Sequence, residues 1–333
     1  MILANTLIKY LCILFISSIH FSCYPKVNNT IINGYTMGTT YSITISNFRH
    51  NQDKFKDQID SVLNIINSHF STYIDDSEIS KINNQNLNSI SLSYEFLYVL
   101  GIALDYCKLS DGNYDITVEP LVDLWGFGKS KDVQFPNKRD IEVILKNVGY
   151  EKIILKDDVL INKSKVRLDL NSIAKGYGVD RVFEYIVEKG YSNFLVEIGG
   201  EIRSSNDMKE DWIIGIPNPK VNSIIKKVRL NNKSMATSGT YNNYFEHLGR
   251  IYSHILNPKT GYPYMYNSIS ATIIADKCID ADAYATLAMT MHPDKVIELI
   301  NKNDGVDCYI LEIGKDDKIV EYKSNNFDSF IPF

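Results

Sequence analysis

The sequence predicts an α+β fold with mixed, largely antiparallel sheets and packed helices. Segments with helical and strand periodicity are interleaved irregularly along the 333 residues, and many strand candidates follow one another as hairpin-like pairs. A doubly wound parallel sheet would instead alternate strands and helices regularly. The glycines of Gly176-Tyr177-Gly178 also lack the spacing of a dinucleotide fingerprint. These observations favour α+β over a nucleotide-binding parallel sheet.

The first half of the chain predicts a hairpin followed by helices. Ile31 to Ile45 alternates around a bend at Met37–Thr40, which is typical of strand, turn and strand. Apolar residues at helical spacing predict a helix over Phe55–Phe70 and another over Tyr94–Leu109, ended by the turn at Asp111–Asn113. The next elements expected are a short helix over Ile141–Val148 and three short strands between Lys152 and Leu170.

The second half predicts two helices among strands. Helix Ala174–Lys189 precedes Gly190, a common C-terminal stop. A second, apolar helix covers Ile279–Met291. The strands expected around these helices are Phe194–Ile202, Trp212–Ile216, Ile224–Leu230, Met235–Thr237, Ile269–Ala275 and Val306–Ile313.

The N-terminus has the pattern of a targeting segment. The apolar run Tyr10–Ile19 is too short for the roughly 20 residues of a spanning helix, so we predict a signal peptide over residues 1–22. Cys23 is a candidate lipidated first residue, although His20 stands where such signals usually have Leu. An ordinary signal peptide is the alternative. With residues 23–30 as a tether, we expect an exported lipoprotein anchored in the inner membrane and facing the periplasm.

The net charge argues against nucleic acid as a partner, and the cysteine spacing argues against a Cys-x-x-Cys site. The net charge of −5 is dispersed, whereas nucleic acid as a partner demands a basic face. Cys107, Cys278 and Cys308 lie in apolar surroundings without a Cys-x-x-Cys pair. We expect them to be buried structural thiols.

Three distant segments carry residues that suggest a phosphate and metal site. Lys175 lies near a predicted helix N-terminus, where unpaired amides and an ammonium attract phosphate. Asp282 and Thr286 are four residues apart, so one helix face offers two hard oxygen ligands for Mg²⁺. The structural alternatives are a solvated lysine and a helix start at which Asp280 and Asp282 complement the dipole.

His254 follows in a loop closed by Asn257-Pro258 and is a candidate general base. A satisfied structural histidine is the alternative. Asp169 either accepts from a ribose or base donor or caps the following helix. Side chains of Met37 and Tyr73 either pack on a planar ring system or belong to the core.

Taken together, these segments resemble the ApbE family, the FAD:protein FMN transferases. The matching stretches occur in family order and span nearly the whole chain after the signal. They are Met37–Tyr41, Phe70–Tyr73, Asp111–Thr117, Asp169–Gly178, Glu197–Arg203, Ser238–Tyr241, Ser253–Gly261 and Asp280–Thr286. The resemblance implies an FAD-binding flavin transferase domain over residues 31–333 with a T-fold-like core.

The resemblance also implies that FAD, as substrate, and Mg²⁺ share one site. On matched positions, FAD would be lined, partly through backbone atoms, by Met37, Tyr73, Asn113, Tyr114, Asp115, Asp169, Lys175, His254 and Leu256. The metal ligands would be Asp282, Thr286 and the main-chain carbonyl of Ser172. Asn257 and Lys259 replace a common Asp and Arg, so the hydrogen bonding of the His254 loop is expected to differ.

The implied reaction is attack by a threonine hydroxyl of another protein on the phosphorus of the FMN half of FAD, with release of AMP. We predict His254 and Asp282 as the catalytic residues, with His254 as the candidate to take the threonine proton and a nearby Asp as the alternative. In the family, acceptors are subunits of membrane electron-transfer complexes with a Ser/Thr-Gly-Ala-Thr type signal. Ser238-Gly239-Thr240 lacks that pattern, which makes this chain the modifier rather than the carrier.

Two other functions fit the same residues. Water as the acceptor would make the protein an FAD pyrophosphatase that yields FMN and AMP. A non-catalytic exported lipoprotein would bind FAD and leave it intact. Incubation with FAD and Mg²⁺, with and without an acceptor, separates the three.

Overall fold

The computed structural model describes residues 28–84, 88–129, 135–207, 211–241, 243–265 and 267–332. The predicted signal peptide, Cys23 and most of the tether lie outside these residues. Within the described ranges, no helix combines the length and apolar character needed to cross a membrane.

The strands of the described residues are numbered in chain order. They are β1 (Asn29–Thr36), β2 (Thr39–Ser46), β3 (Ser89–Ser91), β4 (Ile154–Lys156), β5 (Val159–Ile161), β6 (Phe194–Ile198), β7 (Glu201–Ser205), β8 (Ile213–Pro217), β9 (Ile224–Arg229), β10 (Ser234–Gly239), β11 (Tyr244–His247), β12 (Arg250–Ser253), β13 (Ser268–Ala275), β14 (Asp307–Ile313) and β15 (Ile319–Lys323).

The α-helices are numbered in the same way. They are α1 (Gln52–Phe70), α2 (Glu78–Asn84), α3 (Tyr94–Leu109), α4 (Glu119–Leu124), α5 (Lys138–Leu145), α6 (Ala174–Glu188), α7 (Cys278–Ala288) and α8 (Pro293–Ile300). Helix α1 begins three residues before the predicted start because the Asn51 side chain accepts from the amide of Lys54 and caps it.

One large sheet organises the described residues. Its strand order is β1-β2-β6-β7-β10-β13-β14-β15, and every neighbouring pair is antiparallel. Smaller sheets pair β11 with β12, β8 with β9, and β3 and β4 with β5. The predicted α+β class with largely antiparallel sheets is confirmed.

The sheet carries separate apolar clusters on its two faces because successive side chains of a strand point to opposite faces. Ile273 and Ile310 belong to the core shared with α3 and α7. Their neighbours Ile274 and Leu311 belong to the core shared with β8 and β9. The helices therefore cover one face, and the candidate site lies on that helical side. Cys107, Cys278 and Cys308 are buried and free, as predicted.

The prediction of one strand over Phe194–Ile202 was wrong. Gly199 and Gly200 have φ values of 62° and 104°, a conformation that glycine adopts at no steric cost. The chain turns back there and forms the β6–β7 hairpin. Glu201 consequently begins a new strand.

The third short strand predicted before Leu170 is also absent from the described residues. The amide and carbonyl of Val166 bond to the side chain of Asn162. Those of Leu168 bond to the side chain of Asn83. Asparagine side chains thus replace the strand partner that a ladder would need.

Candidate functional site

One cavity of about 890 Å³ brings the predicted site residues together. This volume lies within the range of roughly 300–1,000 Å³ that is typical of small-molecule sites. Each residue predicted to bind FAD or metal contributes to its wall: Met37, Tyr73, Asn113, Tyr114, Asp115, Asp169, Ser172, Lys175, His254, Leu256, Asp282 and Thr286. We call Ser172, Lys175, Asp282 and Thr286 the helix wall. The loops Asn113–Asp115 and Ser253–Leu256 form the loop wall.

The helix wall depends on close contact between α6 and α7. A Cβ atom at Gly176 would lie 2.3 Å from the carbonyl oxygen of Cys278 and 2.7 Å from Cβ of Asp282, so only glycine permits this approach. The Gly176 amide donates to Oδ2 of Asp282 at 2.9 Å. Further along α6, Asp180 accepts from the amides of Cys278 and Ile279. These contacts fix the start of α7, and with it the Asp282 carboxylate.

At the α7 N-terminus, the amides of Cys278 and Ile279 donate to Asp180 from α6 rather than to Asp280 or Asp282. Asp280 lies in the first turn of α7, where its charge complements the helix dipole. Asp280 accepts from the Tyr106 hydroxyl at 2.8 Å, and Asp282 lines the cavity.

Oxygen donors of the helix wall suit a hard cation. Asp282 and Thr286 lie one turn apart, and Thr286 Oγ1 is 3.2 Å from Ser238 Oγ. The Gly176 amide would bond to the carbonyl of Ser172 in a regular helix, but it donates to Asp282 instead. Within the described ranges, no three His, Cys, Asp or Glu side chains group as a metal site. One carboxylate, a hydroxyl and a carbonyl, completed by water or phosphate oxygens, match what Mg²⁺ accepts.

Lys175 lies between two carboxylates at the start of α6. Its Nζ is 2.6 Å from Oε1 of Glu201 and 3.8 Å from Oδ1 of Asp282. Burial disfavours the charged form of Lys175, but the charges of Asp282 and Glu201 outweigh it and raise the pKa. Burial raises the pKa of Asp282, while Lys175 and the Gly176 amide act in the opposite direction. Lys175 is charged at neutral pH, and 31% of its side chain is exposed for an anion to reach.

The loop after α3 is fixed by hydrogen bonds within the protein. The Tyr114 hydroxyl is 2.7 Å from Ser172 Oγ and joins this loop to the helix wall. Asp115 Oδ1 accepts from the amide and hydroxyl of Thr117, and Oδ2 accepts from the amide of Tyr150. Burial raises the pKa of Asp115, and these bonds oppose it. With both carboxylate oxygens engaged, a ligand is expected to meet the backbone of Asp115.

Tyr264 ties the two loops of the loop wall together. Its hydroxyl donates to the carbonyl of Asn113 at 2.9 Å, and its amide donates to the carbonyl of Ile255 at 2.9 Å. The indole N–H of Trp125 donates to the carbonyl of Gly261 at 2.8 Å. Leu256 packs in the apolar cluster around Trp125. The loop conformation is thus held from behind the cavity.

His254 directly follows β12 and has a defined tautomer. Its Nδ1 is 3.1 Å from the carbonyl of Asn243. A carbonyl only accepts, so Nδ1 carries the proton and Nε2 is left as the basic nitrogen. Burial lowers the pKa of His254, the Asn243 carbonyl opposes this, and the charge of Lys175 adds to the lowering. A neutral imidazole with a free Nε2 is the form that accepts a proton.

Asp169, Met37 and Tyr73 complete the predicted set. Asp169 accepts from the backbone amide two residues later, and burial raises its pKa. It does not cap α6, because Ile173 occupies the cap position without a side-chain bond. Met37 has a φ of 50° in the β1–β2 turn, and its methyl group packs against Gly178. Tyr73 is 57% exposed.

Sequence reasoning assigned no role to Glu201, which also lines the cavity. The residue is buried at 3% exposure, and Oε2 has no hydrogen-bond partner among the described residues. Burial raises the pKa of Glu201 to about 7, with Lys175 opposing that rise. The available signal was a carboxylate directly after the Gly199-Gly200 pair and before the apolar Ile202.

Comparison with known proteins gives a consistent result. The model of the ApbE family matches residues 37–310. The chain is 36% identical over 299 residues to the FAD:protein FMN transferase of Haemophilus influenzae, covering 85% of this chain and 86% of that protein. It is 30% identical over 319 residues to that of Escherichia coli, covering 91% and 89%.

Solved structures agree with this result. The flavin transferase ApbE from Vibrio cholerae superimposes with a TM-score of 0.85 at 31% identity, covering 92% of this chain and all of that one. The ApbE protein of Thermotoga maritima gives a TM-score of 0.84 at 30% identity, covering 92% of this chain. Sequence and structure together show that the chain belongs to the ApbE family.

Proposed function

We propose that this protein transfers FMN from FAD to a threonine hydroxyl of an acceptor protein, releases AMP and requires Mg²⁺. The observation that carries the proposal is the single cavity of about 890 Å³, lined by a carboxylate, hydroxyl and ammonium on one side and by His254 on the other. A diphosphate ester needs such an arrangement of positive charge beside a group that accepts a proton. Membership of the ApbE family supports the flavin as the substrate.

The helix wall handles the diphosphate. Asp282, Thr286 and the Ser172 carbonyl would hold Mg²⁺, and the bound ion would supply positive charge to the diphosphate and to the leaving AMP. The ammonium of Lys175 binds a phosphate oxygen as a point charge. The loop wall and the side chains of Met37, Tyr73 and Leu256 receive the flavin and adenosine parts of FAD.

The bond changes are those of a phosphoryl transfer. The threonine oxygen forms a bond to the phosphorus of the FMN half, and the bond from that phosphorus to the bridging oxygen breaks. AMP leaves with the bridging oxygen. Nε2 of His254 takes the threonine proton, since Nδ1 is already protonated and bound to Asn243.

We further propose that the protein is exported and anchored to a membrane. Residues 1–22 are a signal peptide, Cys23 carries the lipid, and residues 23–30 tether the catalytic domain to the outer face of the inner membrane. The acceptor is an exported-side subunit of a membrane electron-transfer complex with a Ser/Thr-Gly-Ala-Thr type signal. A lipid anchor would hold enzyme and acceptor at the same membrane surface.

The decisive experiment incubates the protein with FAD and Mg²⁺, with and without an acceptor domain. Transfer predicts an acceptor mass increased by FMN and an equal amount of AMP, with both lost when the signal threonine is replaced by alanine. Free FMN at the same rate without the acceptor would establish hydrolysis instead. FAD recovered intact in both samples would establish a storage protein.

A further inference from the structure

Lys175 has two carboxylate neighbours, and they are not equivalent. Its Nζ makes a short contact of 2.6 Å with Oε1 of Glu201 and stays 3.8 Å from Oδ1 of Asp282. Both carboxylates are almost fully buried, at 3% and 2% exposure. A flexible lysine stem can bring the ammonium to either carboxylate. In this structure, the ammonium of Lys175 therefore lies closer to Glu201 than to Asp282.

The two oxygens of Asp282 are also not equivalent. Oδ2 accepts from the Gly176 amide at 2.9 Å. Oδ1 is the oxygen that remains for a cation, and it is the same oxygen that Lys175 faces. An ammonium that moved onto Oδ1 would occupy the position a divalent ion needs.

Glu201 is held where it can prevent that movement. It begins β7, and the Gly199-Gly200 turn pairs it in register with Ile198 of β6. The Gly199 amide also donates to the carbonyl of Thr40 in β2, so the turn is bound to the central sheet. Among the described residues, Lys175 is the ion-pair partner of Glu201, and Oε2 has no hydrogen bond.

We propose that Glu201 is a positioning residue that holds the ammonium of Lys175 away from Oδ1 of Asp282 and thereby keeps this oxygen free for the divalent cation. The inference rests on the proposed function, because it takes Asp282 as a ligand of that cation. It gives a role to Glu201, whose ion-pair partner among the described residues is Lys175.

The test is a titration of the full chain with Mn²⁺ as the probe, without FAD, following the electron paramagnetic resonance signal of free Mn²⁺. Glu201→Gln preserves the size of the side chain and removes its charge, so Lys175 is expected to move to Asp282. Affinity for Mn²⁺ should fall about 10- to 100-fold, the usual effect of removing a group that supports a metal ligand. Glu201→Asp, which keeps the charge, should lose less.

A second background separates positioning from simple long-range attraction between Glu201 and the ion. In Lys175→Met there is no ammonium to displace, so adding Glu201→Gln should change Mn²⁺ affinity by about twofold or less. Lys175→Met alone should bind Mn²⁺ at least as tightly as the wild type. An equal loss in both backgrounds, or unchanged affinity in Glu201→Gln, overturns the proposal.

Asp282→Ala distinguishes failure of this inference from failure of the proposed function. If wild type binds Mn²⁺ and Asp282→Ala does not, the metal site stands whatever Glu201→Gln does. If Asp282→Ala binds as well as wild type, the metal site and this inference fall together. Thermal unfolding of each variant tests folding, and transfer by Glu201→Gln should recover as Mg²⁺ is raised, which a damaged fold would not allow.

Discussion

The two walls of the cavity are built differently. On the helix wall, Lys175 and Asp282 project charged side chains from helices that touch through Gly176. On the loop wall, the main chain carries the structure, since His254 and Tyr264 bond to backbone carbonyls. The difference teaches that the charged groups of the helix wall depend on how closely α6 and α7 pack. The groups of the loop wall, including His254, depend on bonds to main-chain carbonyls for their positions.

Asp282→Ala is expected to have the largest effect and tests the helix wall directly. It removes the carboxylate from the proposed cation site, so transfer should fall at least about 10³-fold, beyond the loss of a single hydrogen-bond donor at a reacting oxygen. Acceptor-bound FMN measured at saturating FAD and Mg²⁺ checks this. Asp280→Ala is the matched control, because Asp280 lies on the same helix but bonds to Tyr106. Wild-type transfer by Asp282→Ala would remove this ligand from the mechanism.

His254→Gln tests the only proposed proton acceptor of the loop wall. Glutamine keeps a donor for the Asn243 carbonyl but has no basic nitrogen, so kcat should fall about 10²- to 10⁴-fold while the KM for FAD changes little. His247→Gln is the control, since His247 lies on the same β11–β12 hairpin and stacks on Phe135. A similar loss in both variants would indicate damage to the hairpin rather than loss of the base.

The pH profile sharpens the assignment of His254. Its pKa is lowered by burial, so the neutral, proton-accepting form persists below the ordinary histidine value of about 6.5. The acid limb of kcat/KM should therefore lie below pH 6.5, with activity lost as the pH falls through it, and this limb should vanish in His254→Gln. An acid limb above that value would contradict His254, with its lowered pKa, as the base.

Gly176→Ala disturbs the helix wall without removing a functional group, although its new Cβ would also lie 2.7 Å from Cβ of Asp282. The new Cβ would meet the Cys278 carbonyl at 2.3 Å, so α6 and α7 must separate, at a cost of about 1–3 kcal/mol of unfolding free energy. Mn²⁺ affinity should fall with it, because Asp282 moves. Gly101→Ala is the control: this glycine lies within α3 with no atom within 4 Å of a new Cβ, and alanine there should stabilise the helix by about 0.5–1 kcal/mol.

The same contrast explains what the sequence could predict. The placement of Asp282 and Thr286 on one helix face was predictable, because residues four apart in a helix share a face. The contact between α6 and α7 was not predictable. In the sequence, nothing distinguishes Gly176 from other helix glycines, and its close approach to Cys278 is visible only in the structure. The loop that contains His254 was predicted to belong to the site because it resembles the corresponding stretch of the family.

The elements that hold the His254 loop in place could not be predicted from local sequence patterns. The β11–β12 hairpin was not predicted, and neither were α2, α4, α8, β3 and β15. In the hairpin, Leu248 occupies a turn position at a φ of 49°, without the Asn-Gly or Asp-Gly signal that marks such turns. The Trp125 bond to Gly261 joins residues 136 positions apart, which no window of sequence reveals.

Lys175→Ala should give the smallest of these effects and tests whether the helix wall binds the substrate as well as the cation. Loss of a charge-assisted bond to phosphate, worth about 1.5–3 kcal/mol, predicts FAD affinity at least roughly tenfold weaker in a flavin fluorescence titration. Lys259→Ala is the control, because Lys259 is half exposed and pairs loosely with Asp111 at 3.7 Å. Removing Lys175 also leaves Glu201 without its ion-pair partner. The titration should therefore be repeated in Lys175→Ala/Glu201→Gln, where a persistent loss assigns the effect to phosphate binding rather than to an unpaired buried carboxylate.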